Sequence, residues 1–223
     1  MIKASHPIAL LAKKHSIAIL VIFYLVGIVG ATVPLHPDFL LLTPLNLLLS
    51  LALVLWRHPH WSGATWRLLV ISFLTGYFAE LFGVKTGMLF GNYYYEQVLG
   101  PKLWDTPPMI GVNWILLTYS AGVLVNHLAP NRHWVAKAAI AAAAMVMLDV
   151  VIEPVAIHYH FWQWVDGYPP LQNYIGWFAV AFPLQLLFMK TQGDIRNKVA
   201  VALFMLQWAF FLSLWFLRGY EGG

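Results

Sequence analysis

Glu80, Asp149 and Glu153 stand inside stretches that are otherwise apolar. A carboxyl at the centre of a membrane-spanning helix costs about 2.5–3.5 kcal/mol on insertion scales, so each is a candidate functional group. Asp149 and Glu153 are at i and i+4, on one face of a helix. A carboxyl in a low-dielectric site favours its neutral form and can then donate a proton. A second carboxylate can orient or deprotonate water, and pairing two acids drives them into different protonation states. Aromatic faces stabilise a nearby cation by about 2 kcal/mol or more when desolvated. Neutral acid, carboxylate and aromatic walls are the parts needed to protonate an alkene, hold a tertiary carbocation and trap it with water. An apolar substrate would reach them laterally from a bilayer. The plainer alternative ties each acid to Asn, Tyr or Trp donors as a fastener of the bundle. One acid suffices for that, so a set of three favours chemistry.

The elements that must position these acids are transmembrane helices. The chain has 223 residues, 61% hydrophobic and only 10% Asp, Glu, Lys or Arg, against about 25% in an ordinary soluble domain. Its mean hydropathy is +0.70. Such a chain cannot solvate the surface of a soluble fold. A disordered chain and a nucleic-acid binder are excluded with it, leaving a single integral-membrane domain over residues 1–223. The net charge of +4 then concerns topology and anionic lipid. There is no cysteine, which removes disulfides, thiol nucleophiles and cysteine metal sites.

A span needs about 20 mostly apolar residues. Seven runs qualify: Ser16–Val33, Phe39–Trp56, Trp66–Val84, Pro108–Ala129, Trp134–Ile157, Asn173–Lys190 and Lys198–Leu217. The expected fold is an all-α polytopic bundle of about seven transmembrane helices. The first run follows Lys13 and Lys14; it is long for a signal-peptide core and is expected to be a retained helix. The breaks carry turn chemistry at Pro34 and Pro37, Pro59 and Gly63, Gly100–Pro101, Pro130, Pro169–Pro170 and Gly193. With the N-terminus in, Lys3, Lys13, Lys14, Arg57, Arg67, Arg132, Lys137, Lys190, Arg196 and Lys198 fall on the cytoplasmic side. Lys85, Lys102 and Arg218 fall on the other. This bias predicts N-terminus in and C-terminus out.

Depth follows from the rise of about 1.5 Å per residue. Glu80 lies ~20 Å beyond Arg67, Asp149 ~18 Å beyond Lys137, and Glu153 ~24 Å beyond it. All three fall in the outer half. Spans four and six bring in Asn113 with Trp114, and Asn173 with Trp177, from the same side. Pro154 removes one helix hydrogen bond and frees the carbonyl of Val150, which predicts a kink beside a polar cavity. Two long outward connections, Lys85–Pro107 and Ala156–Gln172, hold the Gly91–Glu96 and His158–Tyr168 segments. His158 and His160 are read as interfacial rather than as metal ligands, and no metal site or cofactor is expected. His6, His15, His58, His60 and His133 are expected at the cytoplasmic surface. Trp104, Trp162 and Trp164 are expected as belt anchors, and the run Ala138–Ala144 as a close-packing stripe.

The blocks Ala79-Glu80-Leu81-Phe82-Gly83-Val84-Lys85-Thr86-Gly87-Met88-Leu89-Phe90-Gly91-Asn92-Tyr93-Tyr94-Tyr95, Leu99-Gly100-Pro101-Lys102-Leu103, Pro107-Pro108 and Asn113-Trp114 carry a resemblance. So do Leu148-Asp149, Glu153-Pro154, Trp162-Gln163-Trp164, Gly167-Tyr168 and Asn173-Tyr174-Ile175-Gly176-Trp177. The chain resembles the membrane carotenoid hydratases of the bacterioruberin hydratase type, also described as carotenoid biosynthesis proteins. The likeness covers roughly Gly76–Trp177; Asn92 and Asp105-Thr106 depart from the pattern. It implies addition of water across the terminal 1,2 double bond of an acyclic carotenoid end, giving a tertiary alcohol. The acids are then the catalytic set, with Asp149 the first choice to protonate C2. Glu80 or Glu153 activates the water. Tyr93, Tyr95, Asn113, Trp114, Asn173 and Trp177 are the expected substrate-binding residues.

The closest enzyme alternative is a carotenoid end-group cyclase, which ends the same cation chemistry by ring closure. A non-catalytic carotenoid-binding membrane protein is the bland one. A retinal-based pump needs a lysine within its last span, and Lys198 lies at the very end of it. No Gly-rich phosphate loop and no Asp-rich Mg²⁺ pair favours prenyl transfer. The expected partners are a carotenoid, the lipid bilayer and other membrane enzymes of carotenoid synthesis, with no nucleic acid. The expected location is the plasma (inner) membrane, as a multi-pass protein.

Overall fold

The computed structural model describes residues 15–33, 36 and 38–218. Lys3, His6, Lys13, Lys14, Pro34 and Pro37 lie outside the described residues. Among those described, each apolar run forms one helix: α1 Ser16–Thr32, α2 Thr43–Trp56, α3 Gly63–Thr86, α4 Met109–Leu128, α5 Trp134–His158, α6 Leu171–Gln192 and α7 Lys198–Arg218. A 3₁₀ turn, Phe39–Leu42, leads into α2. Six stretches, α3 to α7 and the 3₁₀ turn continued by α2, are long and apolar enough to cross a membrane. With 17 residues, α1 is the shorter apolar helix. The molecule is a helical membrane bundle.

Local sequence sets the ends. Ser62 caps α3, its Oγ accepting from the Thr65 N–H at 3.1 Å. Gly87 closes α3 in the left-handed region at φ +66°, its N–H bonded to the Gly83 carbonyl, a conformation that favours glycine. Both α5 and α6 run on through internal prolines, Pro154 and Pro183.

Helix α4 is the axis of the bundle. Of its spanning window 89% is buried, while the other five spans bury only 22–44% of theirs. Around it, α3 packs on α4, α5 on α6, and α1 chiefly on α7. On α3, Val70, Leu74, Phe78 and Phe82 form an exposed stripe at four-residue spacing. The opposite face carries Gly76, Glu80 and Gly83, all buried. Ala138, Ala141 and Ala142 are fully buried in α5, as the close-packing stripe requires.

The all-α expectation omits one element. The two long connections meet as a short antiparallel ribbon, β1 Tyr93–Tyr95 against β2 Trp162–Trp164. Tyr93 pairs with Trp164, Tyr94 with Gln163 and Tyr95 with Trp162. Alternating aromatic residues suit such a ribbon because successive side chains point to opposite faces. Tyr93 and Tyr95 are buried and Tyr94 is exposed.

Candidate active site

The inward face of the ribbon meets the buried acids. On β1, the Tyr93 and Tyr95 hydroxyls donate to Glu80 Oε2 at 2.6 and 2.7 Å. On β2, the Trp162 and Trp164 indoles donate to Glu153 Oε2 at 3.0 and 2.8 Å. From α4, Trp114 Nε1 donates to Glu80 Oε1 at 3.1 Å. From α6, Asn173 Nδ2 donates to Asp149 Oδ2 at 2.8 Å and to Glu153 Oε1 at 3.2 Å. Asn173 thus bridges the i, i+4 pair of α5.

Two glycines make room for this. A Cβ on Gly76 would sit 2.2 Å from Trp114 Cγ, so only glycine lets the indole lie against α3 one turn below Glu80. A Cβ on Gly83 would sit 2.6 Å from Phe90 and 3.0 Å from the Tyr93 hydroxyl oxygen.

The three acids are not equivalent. Glu80 and Glu153 each accept from three side-chain donors, which fills most of a carboxylate's acceptor capacity. Among the described residues, Asp149 accepts from Asn173 alone, and its Oδ1 is buried with no hydrogen-bond partner. A buried carboxyl oxygen in that position is the one free to carry a proton. Burial and the adjacent Glu80 hold the Tyr93 and Tyr95 phenols well above their ordinary range. Both therefore keep their protons and serve Glu80 as donors.

All three acids line one cavity of about 250 Å³. Tyr93, Tyr95, Asn113, Asn173 and Trp177 line it too. Trp114 backs its wall, stacked on Trp177 at 4.6 Å between centroids and 25° between planes. The nine residues singled out from the sequence are therefore brought together. Away from the acids the cavity continues between α1, the 3₁₀ turn, α2 and α7. There it reaches residues on the outer surface: Phe23 is 46% exposed, Val26 51% and Leu45 63%. That limb opens sideways, toward acyl chains. The volume falls below the ~300–1,000 Å³ that encloses a drug-sized ligand. It admits one end of a long molecule.

Several expectations are corrected. Trp162 and Trp164 are site residues rather than belt anchors, because strand pairing turns their indoles inward onto Glu153. The signal was their spacing of two, matched by Tyr93 and Tyr95. His58 is not a surface residue: it is 6% exposed, with Nδ1 2.7 Å from the Tyr119 hydroxyl and Nε2 2.8 Å from the His60 carbonyl. Burial lowers its pKa. His160 pairs with Glu96 at 3.1 Å. Among the described residues, no three His, Asp or Glu side chains are grouped to hold a metal.

Residues 39–219 match the model of the family described as carotenoid biosynthesis protein. The chain is also similar to bisanhydrobacterioruberin hydratase of Haloarcula japonica, 31% identical over 219 residues covering 91% of this chain and 75% of that protein. No solved structure matches it.

Proposed function

Because the chain belongs to the carotenoid biosynthesis protein family, we propose that it is a hydratase, adding water to the terminal 1,2 double bond of an acyclic carotenoid end. The observation that carries this reading is the open Oδ1 of Asp149 beside Glu153, which three donors hold in place.

Asp149, in its neutral form, gives its proton to C2; the alkene electron pair makes the new C–H bond and leaves a tertiary cation at C1. The face of Trp177, held parallel to Trp114, and the Tyr93 ring border the cation. Glu80, fixed by three donors, supplies negative charge nearby. Water forms the C–O bond at C1 and passes its proton to Glu153. Asp149, one helical turn away on the same face of α5, recovers that proton from Glu153, while Asn173 holds the two side chains in place. The net change is one water added, with no redox partner. The proximity of Glu153 to Asp149 favours it over Glu80 as the base. The remainder of the polyene would extend along the lateral limb into the bilayer, as a multi-pass enzyme of the plasma membrane allows.

The test is expression in a host that makes acyclic carotenoids, followed by pigment mass. Hydration raises the mass by one water. Asp149→Asn should abolish the rise. An isomeric ring product of unchanged mass would indicate a cyclase, and bound but unaltered pigment a carrier. Hydrated product at wild-type yield from Asp149→Asn, Glu80→Gln and Glu153→Gln alike would sink the mechanism.

A further inference from the structure

Below the acids, the bundle holds a second group of buried polar atoms that the hydration mechanism does not use. Ser72 Oγ on α3, Thr118 Oγ1 on α4 and Gln185 Oε1 on α6 are buried and have no hydrogen-bond partner among the described residues. Three contacts set these side chains at one level. Gly76 lies against Trp114, so one turn further along the antiparallel pair of α3 and α4 Ser72 comes level with Thr118. Thr65 Oγ1 donates to Gln192 Oε1 at 3.2 Å, so two turns up α3 and two turns back along α6 Ser72 also comes level with Gln185. Gln185 Nε2 donates to the Thr118 carbonyl at 2.9 Å, which closes the triangle.

The two hydroxyls also forgo their usual fallback. A serine or threonine inside a helix commonly donates to the carbonyl four residues earlier. Thr32, Thr86, Ser120 and Thr191 each do so in this chain. Ser72 and Thr118 do not, so both stay open to a partner outside their own helices. A buried polar group left unpaired loses its solvation without compensation. Three of them, drawn from three helices to one level, match the two to four polar partners that an internal water needs. Gln185 Oε1 only accepts, whereas each hydroxyl can donate or accept. One water can therefore give a proton to Gln185 and exchange its remaining bonds with Ser72 and Thr118. A cation is disfavoured, because three neutral oxygens bring no countercharge to offset its dehydration. A hydrocarbon would pair none of the three.

We propose that Ser72, Thr118 and Gln185 form a binding site for one resident water molecule in the interior of the bundle. The water ties together, beneath the acids, the helix that carries Glu80 and the helices that carry Trp114 and Asn173. The site is independent of the polyene reading, since its ligand is solvent.

The test is a crystal structure of the full chain at a resolution that shows ordered solvent, with a second crystal soaked in thallium acetate. The expected result is one solvent peak within hydrogen-bonding distance of Ser72 Oγ, Thr118 Oγ1 and Gln185 Oε1, without anomalous signal from thallium. Direct bonds among the three side chains, with no such peak, overturn the site. Anomalous signal at that point assigns it to a monovalent cation and overturns the water. Thermal unfolding of variants in one detergent gives an independent measure. Ser72→Ala and Thr118→Val each remove one partner of the same water, so once the first has released it the second has little left to lose. The double variant should therefore melt close to the less stable of the two single variants. Losses that simply add overturn the shared water.

Discussion

Replacing Glu80 and Glu153 by glutamine in turn should give unequal losses of stability, although the two substitutions are chemically the same. At Glu80, Oε2 accepts from two phenol hydroxyls and Oε1 from one indole N–H. A phenol hydroxyl rotates and can accept as well as donate. The introduced amide can aim its NH₂ at Tyr93 and Tyr95 and its carbonyl at Trp114, so every group keeps a partner. At Glu153, Oε2 accepts from Trp162 and Trp164, whose indoles only donate, and Oε1 accepts from the Asn173 NH₂. The introduced amide has one oxygen for two sites. If the oxygen faces the indoles, its NH₂ meets the NH₂ of Asn173. If Asn173 turns over to accept, its NH₂ leaves Asp149 Oδ2. Either way one or two buried polar groups lose a partner, at about 1–3 kcal/mol each. Glu80→Gln exchanges charge-assisted bonds for neutral ones and is expected to cost about 1 kcal/mol or less. Thermal unfolding of the purified variants in one detergent provides the assay, with Glu153→Gln melting clearly below Glu80→Gln. Equal melting, or the reverse order, would refute the assignment of donors around the two acids.

Asp149→Asn should act on rate rather than on stability. An asparagine can still accept from Asn173, but it has no proton to give, and hydrated pigment formed per unit of enzyme should fall by about 10²–10⁴-fold. Gly76→Ala should lower stability by roughly 1–3 kcal/mol, because its Cβ would fall 2.2 Å from Trp114 Cγ; thermal unfolding and the near-ultraviolet circular dichroism of the stacked indoles should report it together. The buried phenols give an alkaline signature. Tyr93 and Tyr95 are raised well above 10.0 in the fold, so their contribution is complete below the unfolded phenol value. It is lost as pH climbs from there through the folded value. Chemical denaturation above about pH 10 should show that fall, and Tyr93→Phe with Tyr95→Phe should flatten it.

The bundle was legible because the bilayer imposes a one-dimensional rule. Each helix needs a run of apolar residues, and every run read from the sequence became a helix with ends displaced by a few residues. Gly63 begins α3 three residues before the apolar run at Trp66, since Ser62 supplies the cap. The acids were legible for the same reason: a carboxylate at membrane depth is conspicuous where only 10% of the chain is charged. Their shared depth followed from counting residues along α3 and α5, two spans that run in the same direction.

The ribbon escaped because three-residue strands acquire meaning only through a partner. Tyr93–Tyr95 and Trp162–Trp164 lie about seventy residues apart, and neither is apolar or long enough to stand out alone. Their pairing depends on α4 and α6, each of which packs against both α3 and α5. Once paired, the two-residue period turns four polar tips onto two carboxylates, and an interfacial tryptophan becomes a hydrogen-bond donor of the site. The lateral amides escaped for a related reason. Asn46 and Gln207 resemble ordinary polar interruptions in apolar helices. Only their common cavity, and the lack of a partner for each carbonyl among the described residues, separates them from groups that merely pin one helix to another. In a membrane that distinction matters more than in water, since no solvent relieves an unpaired amide. Among the described residues, buried acceptors at Asp149, Asn46 and Gln207 have no hydrogen-bond partner along that one cavity, and in a membrane each is costly unless a donor reaches it.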